Sequence, residues 1–160
     1  LSSGESGELV IKGDLVMAGY LDLPNLTSKT IINGWLHTGD IGVIDERGFL
    51  FIKGRMRDVI ITGGFNVYPS DVEAVLGSHP DVRECVVFGV PDSKWGEAVQ
   101  GAVELHEGAA KDDGAIIEYI KQRLDSVKTP KRIHFSNALP RSPVGKVLRR
   151  EAITLYSENK

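Results

Sequence analysis

Gly54-Arg-Met-Arg-Asp-Val-Ile-Ile-Thr-Gly-Gly-Phe-Asn-Val-Tyr-Pro-Ser-Asp-Val-Glu73 marks a change of pattern in this chain. Before it, short apolar runs alternate with turn residues: Glu8 to Lys12, Thr30-Ile-Ile32 ahead of Asn33-Gly34, Ile41 to Ile44, and Phe49 to Ile52 after the hairpin turn Asp45-Glu-Arg-Gly48. These read as strands, and Asp22 to Thr30 as a polar loop. No helix of substance is expected before residue 70. After it, Val59 to Ile61 reads as a strand, and Ser70 with Glu73 three residues on as a capping box opening a helix to about Ser78. Val82 to Val90 and Val99 to Leu105 are strand candidates, the first apolar enough for a sheet buried on both faces. Asp112 to Val127 has helical spacing through Ile116, Ile117, Ile120 and Leu124. Arg132 to Phe135 reads as a last strand and Val147 to about Tyr156 as a final helix. The fold class is therefore α+β. A β-rich segment over residues 1–55 precedes a small α/β domain over 56–160, a short mixed sheet flanked by helices.

Composition narrows the function. Of 160 residues, 41% are hydrophobic and 26% charged, enough apolar content for a packed core. The net charge of -3 argues against a dedicated nucleic-acid binder, although basic residues gather from Lys128 to Arg150 and leave room for a local anion site. The single cysteine, Cys85, excludes an intrachain disulfide framework and favours a reducing compartment. Its neighbours in Glu84-Cys-Val-Val-Phe-Gly89 make it a small buried hydrophobe rather than a nucleophile. No apolar run reaches membrane-spanning length, so a cytoplasmic location is expected. Asn25-Leu-Thr27 matches a glycosylation sequon and is read as chance. Leu1-Ser-Ser-Gly has no initiator Met and enters a strand pattern almost at once, as expected of a piece of a longer chain.

Four constellations carry candidate chemistry. In Trp35-Leu-His-Thr-Gly-Asp40 a turn ending in aspartate can present a carboxylate to a ribose diol, or simply cap its own backbone. In Gly54-Arg-Met-Arg-Asp58, Arg55 can donate to the same sugar or to a phosphate, or stand solvated in a loop. Arg57 lies where the β segment hands over to the α/β domain, a place for a hinge. In Thr62-Gly63-Gly64-Phe65 two glycines let a backbone approach a slender ligand, or serve as a plain loop; the dinucleotide-binding glycine spacing is absent. In Pro140-Arg-Ser-Pro-Val-Gly-Lys-Val-Leu-Arg149 a lysine, Lys146, stands on a proline- and glycine-shaped turn. A phosphate-binding P-loop would need glycine at 140 and Ser or Thr at 147, where Pro140 and Val147 stand. What remains is an ammonium placed to neutralise charge between a carboxylate and a phosphate, or a surface lysine. His37, His79, His106 and His134 lack metal-ligand spacing, so no metal site is expected.

Taken together, these residues resemble the adenylate-forming superfamily of acyl- and aryl-CoA synthetases, luciferases and peptide-synthetase adenylation domains. Gly7-Glu-Leu9, Gly19-Tyr20, Thr38-Gly-Asp40, Gly54-Arg55, Gly63-Gly64, Pro69 to Glu73, Val90-Pro-Asp92, Trp95-Gly-Glu97 and Pro140 to Arg149 occur in family order over nearly the whole chain. The Ile61 to Pro69 form leans towards CoA ligases and away from peptide-synthetase domains. The resemblance implies that residues 1–55 end a large N-terminal domain and that 56–160 form its mobile C-terminal lid. It implies an AMP-forming acid–thiol ligase of the kind used in fatty acid metabolism, with ATP and CoA as substrates and Mg2+ needed by the full-length enzyme rather than held by this chain. Lys146 would be the adenylation lysine. Asp40 and Arg55 would bind the nucleotide, and Arg57 would be the hinge, where aspartate or lysine is commoner. Gly63, Gly64 and Trp95 would meet CoA and its pantetheine arm, with the Lys128 to Arg132 segment nearby.

The same resemblance places the phosphate loop, adenine pocket and acyl pocket upstream of residue 1. The chain alone is expected to fold from about residue 55, to bind ATP weakly and to show no ATP–pyrophosphate exchange. Its partners would be the missing N-terminal domain, a carboxylate, ATP and CoA. Residues 1–53 have the options of disorder, repacking, or strand-swapped or other homo-oligomeric association. The alternatives are an enzyme loading a carrier-protein phosphopantetheine thiol, and a non-catalytic module built on the lid fold.

Overall fold

The structure, a computed structural model, describes residues 1–157. It divides into two compact units, Leu1–Arg57 and Asp58–Lys160.

The first unit is built on one long strand. Strand β3 (Trp35–Ile44) carries β1 (Ser6–Ile11) along one edge, and β2 (Ile31–Ile32) and β4 (Leu50–Arg55) in succession on the other, all antiparallel. The sequence reading begins the strand at Ile41 and treats Trp35 to Asp40 as a turn. The structure corrects this. Glu8 pairs with Ile41 and Val10 with His37, so Thr38, Gly39 and Asp40 oppose Leu9 alone and bulge from a continuous strand. The expected loop over Asp22 to Thr30 is likewise a seven-residue helix, α1 (Pro24–Thr30). Pro24 occupies the first turn, where its missing N–H costs nothing, and Thr27 Oγ1 both donates to Leu23 O and accepts the Tyr20 N–H. Those local bonds outweigh the modest helix propensity of the segment. The Asp45 turn is as expected, its carboxylate accepting the N–H groups of Arg47 and Phe49.

The second unit has the core. A 3₁₀ turn, Met56–Asp58, leads to β5 (Ile60–Thr62) and β6 (Phe65–Val67), then α2 (Pro69–Leu76), β7 (Val82–Asp92), β8 (Gly96–Leu105), α3 (Asp113–Lys121), β9 (Arg132–Phe135) and α4 (Arg149–Ser157). β8 is the spine: β7 pairs along its whole length, β5 touches its start, and β9 runs parallel to its centre, so the sheet is mixed. Successive residues of β7 and β8 face opposite ways. Val87, Val99 and Val103 meet Val72 and Leu76 of α2 and Ile116 and Ile120 of α3 on one face. Val86, Phe88 and Ala102 meet Leu139 and Ala152 on the other. The expectation of a sheet buried on both faces is thereby met.

Three helix boundaries depart from the sequence reading. Pro69, not Ser70, opens α2, and no side chain caps it. Glu73 does not turn back to the helix start; its Oε1 accepts the Val87 N–H at 2.8 Å and an Arg149 N–H at 2.7 Å. α3 stops at Lys121 instead of Val127, because the Asp125 carboxylate captures the N–H groups of Val127 and Lys128 and turns the chain. Leu124 and Val127 still pack on the core from that turn. α4 begins at Arg149, since Val147 is held in a bridge to Arg141 and Leu148 donates to Pro140 O.

Candidate functional site

In the first unit the bulge of β3 and the end of β4 bring Asp40 opposite Arg55. Arg55 Nε lies 3.4 Å from Asp40 Oδ1, with both side chains partly open to solvent. The bulge is fixed from three sides: Thr38 Oγ1 donates to Leu9 O at 2.8 Å, the Asp40 N–H donates to Thr38 Oγ1, and the Gly39 N–H donates to Glu8 Oε1. The other Glu8 oxygen meets His37 Nδ1 at 2.8 Å. Thr38, Gly39, Arg55, Met56 and Arg57 line a cleft of about 360 Å³. A guanidinium lining such a cleft, with the Asp40 carboxylate paired to it, suits a polyol carrying an anionic group.

In the second unit Gly63 and Trp95 come together, and Gly64 follows in the chain at φ +83°. The Asp92 carboxylate accepts the N–H groups of Lys94 and Trp95 at 2.9 Å each, which shapes the β7–β8 turn and presents the indole. Gly63 donates to Trp95 O at 2.8 Å. A Cβ on Gly63 would lie 3.1 Å from the indole Cε3, and the φ of +57° adds strain for any side chain, so glycine is required there twice over. Glu97 secures the adjoining strand by accepting the Ile61 N–H at 2.6 Å. Thr62, Gly63, Phe65, Trp95, Val127 and Lys131 line a cleft of about 280 Å³. Lys94 and Lys131 hold ammonium groups 4.7 and 5.9 Å from the indole centroid. The cleft thus joins exposed aromatic surface to positive charge, suited to a ligand with an apolar stem and an anionic end. Of the basic segment named from sequence, Lys131 reaches this cleft, whereas Lys128 is paired with Asp71.

Lys146 stands elsewhere in the second unit, closing a hairpin. Ser142 donates from its backbone to Lys146 O, Gly145 donates to Ser142 O, and Gly145 takes φ +83° after Pro143 and Val144. A turn followed by a left-handed glycine is the usual three-residue hairpin connection. The Lys146 side chain is exposed and its ammonium has no ion-pair partner among the described residues.

A family model, the AMP-binding enzyme C-terminal domain, matches residues 71–146. The chain belongs to the adenylate-forming, AMP-binding superfamily. It is 48% identical to the 2-succinylbenzoate–CoA ligase of Geobacillus kaustophilus, over 92% of this chain and 30% of that protein. It is 44% identical to a long-chain-fatty-acid–CoA ligase of Bacillus subtilis, over 97% of this chain and 28% of that one. The structure of ATP-bound MatB from Rhodopseudomonas palustris superposes with a TM-score of 0.93 at 37% identity, covering 99% of this chain and 32% of that chain. The chain therefore spans less than a third of the length of these relatives.

In this AMP-binding C-terminal domain one functional arrangement escaped the sequence reading. Arg149, three residues past Lys146, donates through Nε to Val87 O at 2.9 Å, through Nη1 to Asp58 at 3.0 Å and through Nη2 to Glu73 at 2.7 Å. One guanidinium ties the helix behind the lysine turn to the sheet, to α2 and to the residue after Arg57. The only sequence signal was its place in the Gly-Lys-x-x-Arg run. Cys85 is no nucleophile: burial, with Glu73 and Glu84 nearby, pushes its thiol up to about 12.

Proposed function

We propose that the chain is the C-terminal part of an ATP-dependent, AMP-forming carboxylic acid–CoA ligase. The observation that carries this reading is Lys146, an exposed ammonium on a hairpin with no ion-pair partner among the described residues, with Arg149 rooting the helix behind it. In the first half-reaction a substrate carboxylate oxygen attacks the α-phosphorus of ATP, the bond to pyrophosphate breaks, and an acyl-adenylate forms. Lys146 compensates the negative charge shared by carboxylate and phosphate. Asp40 accepts hydrogen bonds from the ribose hydroxyls and Arg55 assists at the cleft rim. In the second, the lid turns about Arg57 and the CoA thiol attacks the acyl carbon, releasing AMP. The pantetheine arm runs past Gly63 and Gly64, with Trp95 and Lys131 beside it. The hinge reading puts the large domain's share at residues 1–55 and the lid at 56–160.

The first unit supports a partner upstream. Phe51 and Ile52 of β4 and Phe49 just before it are 50%, 65% and 59% exposed. Large apolar side chains left open along one strand call for a cover, here the large domain of the same protein or, without it, a second copy. Among the described residues no group of three His, Cys, Asp or Glu could hold a metal ion. The Mg2+ expected with ATP would be held by the full-length enzyme. No helix among the described residues is long and apolar enough to cross a membrane. A cytoplasmic enzyme, inactive as this piece alone, is the reading that fits.

The test is Lys146→Ala in the full-length ligase. Adenylation should fall by roughly 10²–10³-fold or more, as for loss of one preorganised charge-stabilising group, while thioester formation from supplied acyl-adenylate persists. Equal loss of both half-reactions would refute the division of labour. Offering free CoA beside a phosphopantetheinylated carrier protein separates the ligase from a carrier-loading enzyme.

A further inference from the structure

The hairpin bearing Lys146 is gripped by a charged cluster that the reaction itself does not use. Glu84 on β7 and Glu104 on β8 are direct cross-strand partners. Two carboxylates facing each other across a sheet repel, and such a pair persists where a cation spans it. Glu104 is only 1% exposed, so its charge must be compensated from within the protein. A β-bulge between Val82 and Glu84 interrupts the alternation of β7, and Arg83 beside it bonds to Glu104. The Leu139 N–H donates to Glu104 Oε1 at 2.6 Å.

Arg141 completes the set. Its Nη2 reaches Glu104 Oε1 at 3.0 Å and also Glu84 Oε2, while its Nη1 donates to Gly145 O at 3.2 Å. That carbonyl belongs to the peptide bond joining Gly145 to Lys146. One planar fork therefore binds two sheet carboxylates with one nitrogen and the hairpin with another, geometry that a flexible ammonium does not offer. Burial alone would push the Glu104 carboxyl up. The Leu139 N–H and the Arg83 and Arg141 guanidinium groups outweigh it and hold the group below the ordinary carboxylate range. Arg141 in turn is raised by its bonds to Glu84 and Glu104. The Arg141 contacts join the central strands to the peptide between Gly145 and Lys146, and among the described residues none reaches the Lys146 ammonium.

We propose that Arg141, seated on the Glu84–Glu104 pair, is a positioning residue that fixes the Lys146 hairpin for adenylation. This rests on the reading of Lys146 as the adenylation lysine. A cation at the end of four methylenes loses effect steeply when its backbone shifts, since misplacement by about 1 Å can cost 10²-fold in rate. The clamp serves only the half-reaction that uses Lys146.

The experiment uses the full-length ligase with Arg141→Met, Arg141→Lys, Glu104→Gln and, as reference, Lys146→Ala. ATP–pyrophosphate exchange and thioester formation from supplied acyl-adenylate are measured beside the thermal unfolding midpoint. Arg141→Met is expected to lower the exchange kcat about tenfold, leaving the KM for ATP and the thioester step within about twofold. Arg141→Lys, which keeps a charge between the carboxylates but loses the second nitrogen on Gly145 O, should bring the unfolding midpoint back towards that of the unaltered enzyme while exchange stays slowed, and Glu104→Gln should follow Arg141→Met. If Glu104→Gln fails to fold, the two Arg141 variants decide. Exchange by Arg141→Met within twofold of the unaltered enzyme, or equal slowing of both half-reactions, overturns the proposal while Lys146→Ala still abolishes exchange. Exchange surviving in Lys146→Ala instead overturns the underlying role of Lys146, and the clamp with it.

Discussion

Replacing Glu73 by alanine tests how the second unit is held together. The Glu73 carboxylate accepts the Val87 N–H at 2.8 Å and an Arg149 N–H at 2.7 Å. Val87 is fully buried, so its N–H would lose its partner away from water, at a cost of about 1–3 kcal/mol. The charge-assisted bond to Arg149 is partly screened, with side chains 27% and 23% exposed, and adds about 1 kcal/mol. Arg149 keeps Asp58 and Val87 O, which limits the damage. The expected loss is roughly 2–4 kcal/mol, a fall of roughly 10–25 °C in Tm for a unit of this size. Urea unfolding reads it cleanly in a Trp35→Phe background, where Trp95 alone reports on the second unit. Glu73→Gln retains an acceptor for Val87 and should lose only about 1 kcal/mol. A double-mutant cycle with Arg149→Met should return a coupling of about 1 kcal/mol. A Glu73→Ala loss below 1 kcal/mol, or zero coupling, would refute the view that one carboxylate joins α2, β7 and α4.

Two further outcomes concern Gly63 and His134 of the second unit. Gly63→Ala should shift Trp95 emission and cost about 1–3 kcal/mol, because a Cβ meets the indole at 3.1 Å on a left-handed backbone; an unchanged spectrum and stability would contradict the geometry. His134 is held below its ordinary value by burial and then by Arg132, so the folded protein keeps it neutral where the unfolded chain takes up a proton. Its contribution is intact above about pH 6.5 and is lost as pH falls from there through the folded value. Urea midpoints stepped from pH 7.5 down to 5 should show this slope. His134→Gln, which removes the titrating group and keeps a polar partner for Gln100, should flatten it, and an unaltered slope would assign the effect elsewhere.

Periodicity and motif order, carried by single residues and their spacing, were enough for the α+β class, the change of character near Gly54, the double-faced β7 and the family. Residues joined by short hydrogen-bonded paths were read less well. Thr38 to Asp40 looked like a turn because Gly39 and Asp40 are turn residues, and only the pairing of Glu8 with Ile41 and Val10 with His37 makes them a bulge in a strand. Glu73 had the spacing of a capping box, yet a buried backbone N–H and a guanidinium from distant strand and helix were stronger partners for its charge. Lys146 was visible in the sequence by its motif. What grips its hairpin was not, because Glu84, Glu104, Arg141 and Gly145 meet only once β7 and β8 pair and the chain returns across them. Sequence spacing determined which side chains this protein has for chemistry. Tertiary structure decided what each of them touches, because a carboxylate takes whichever donor the folded chain brings nearest, not the one its local spacing suggests.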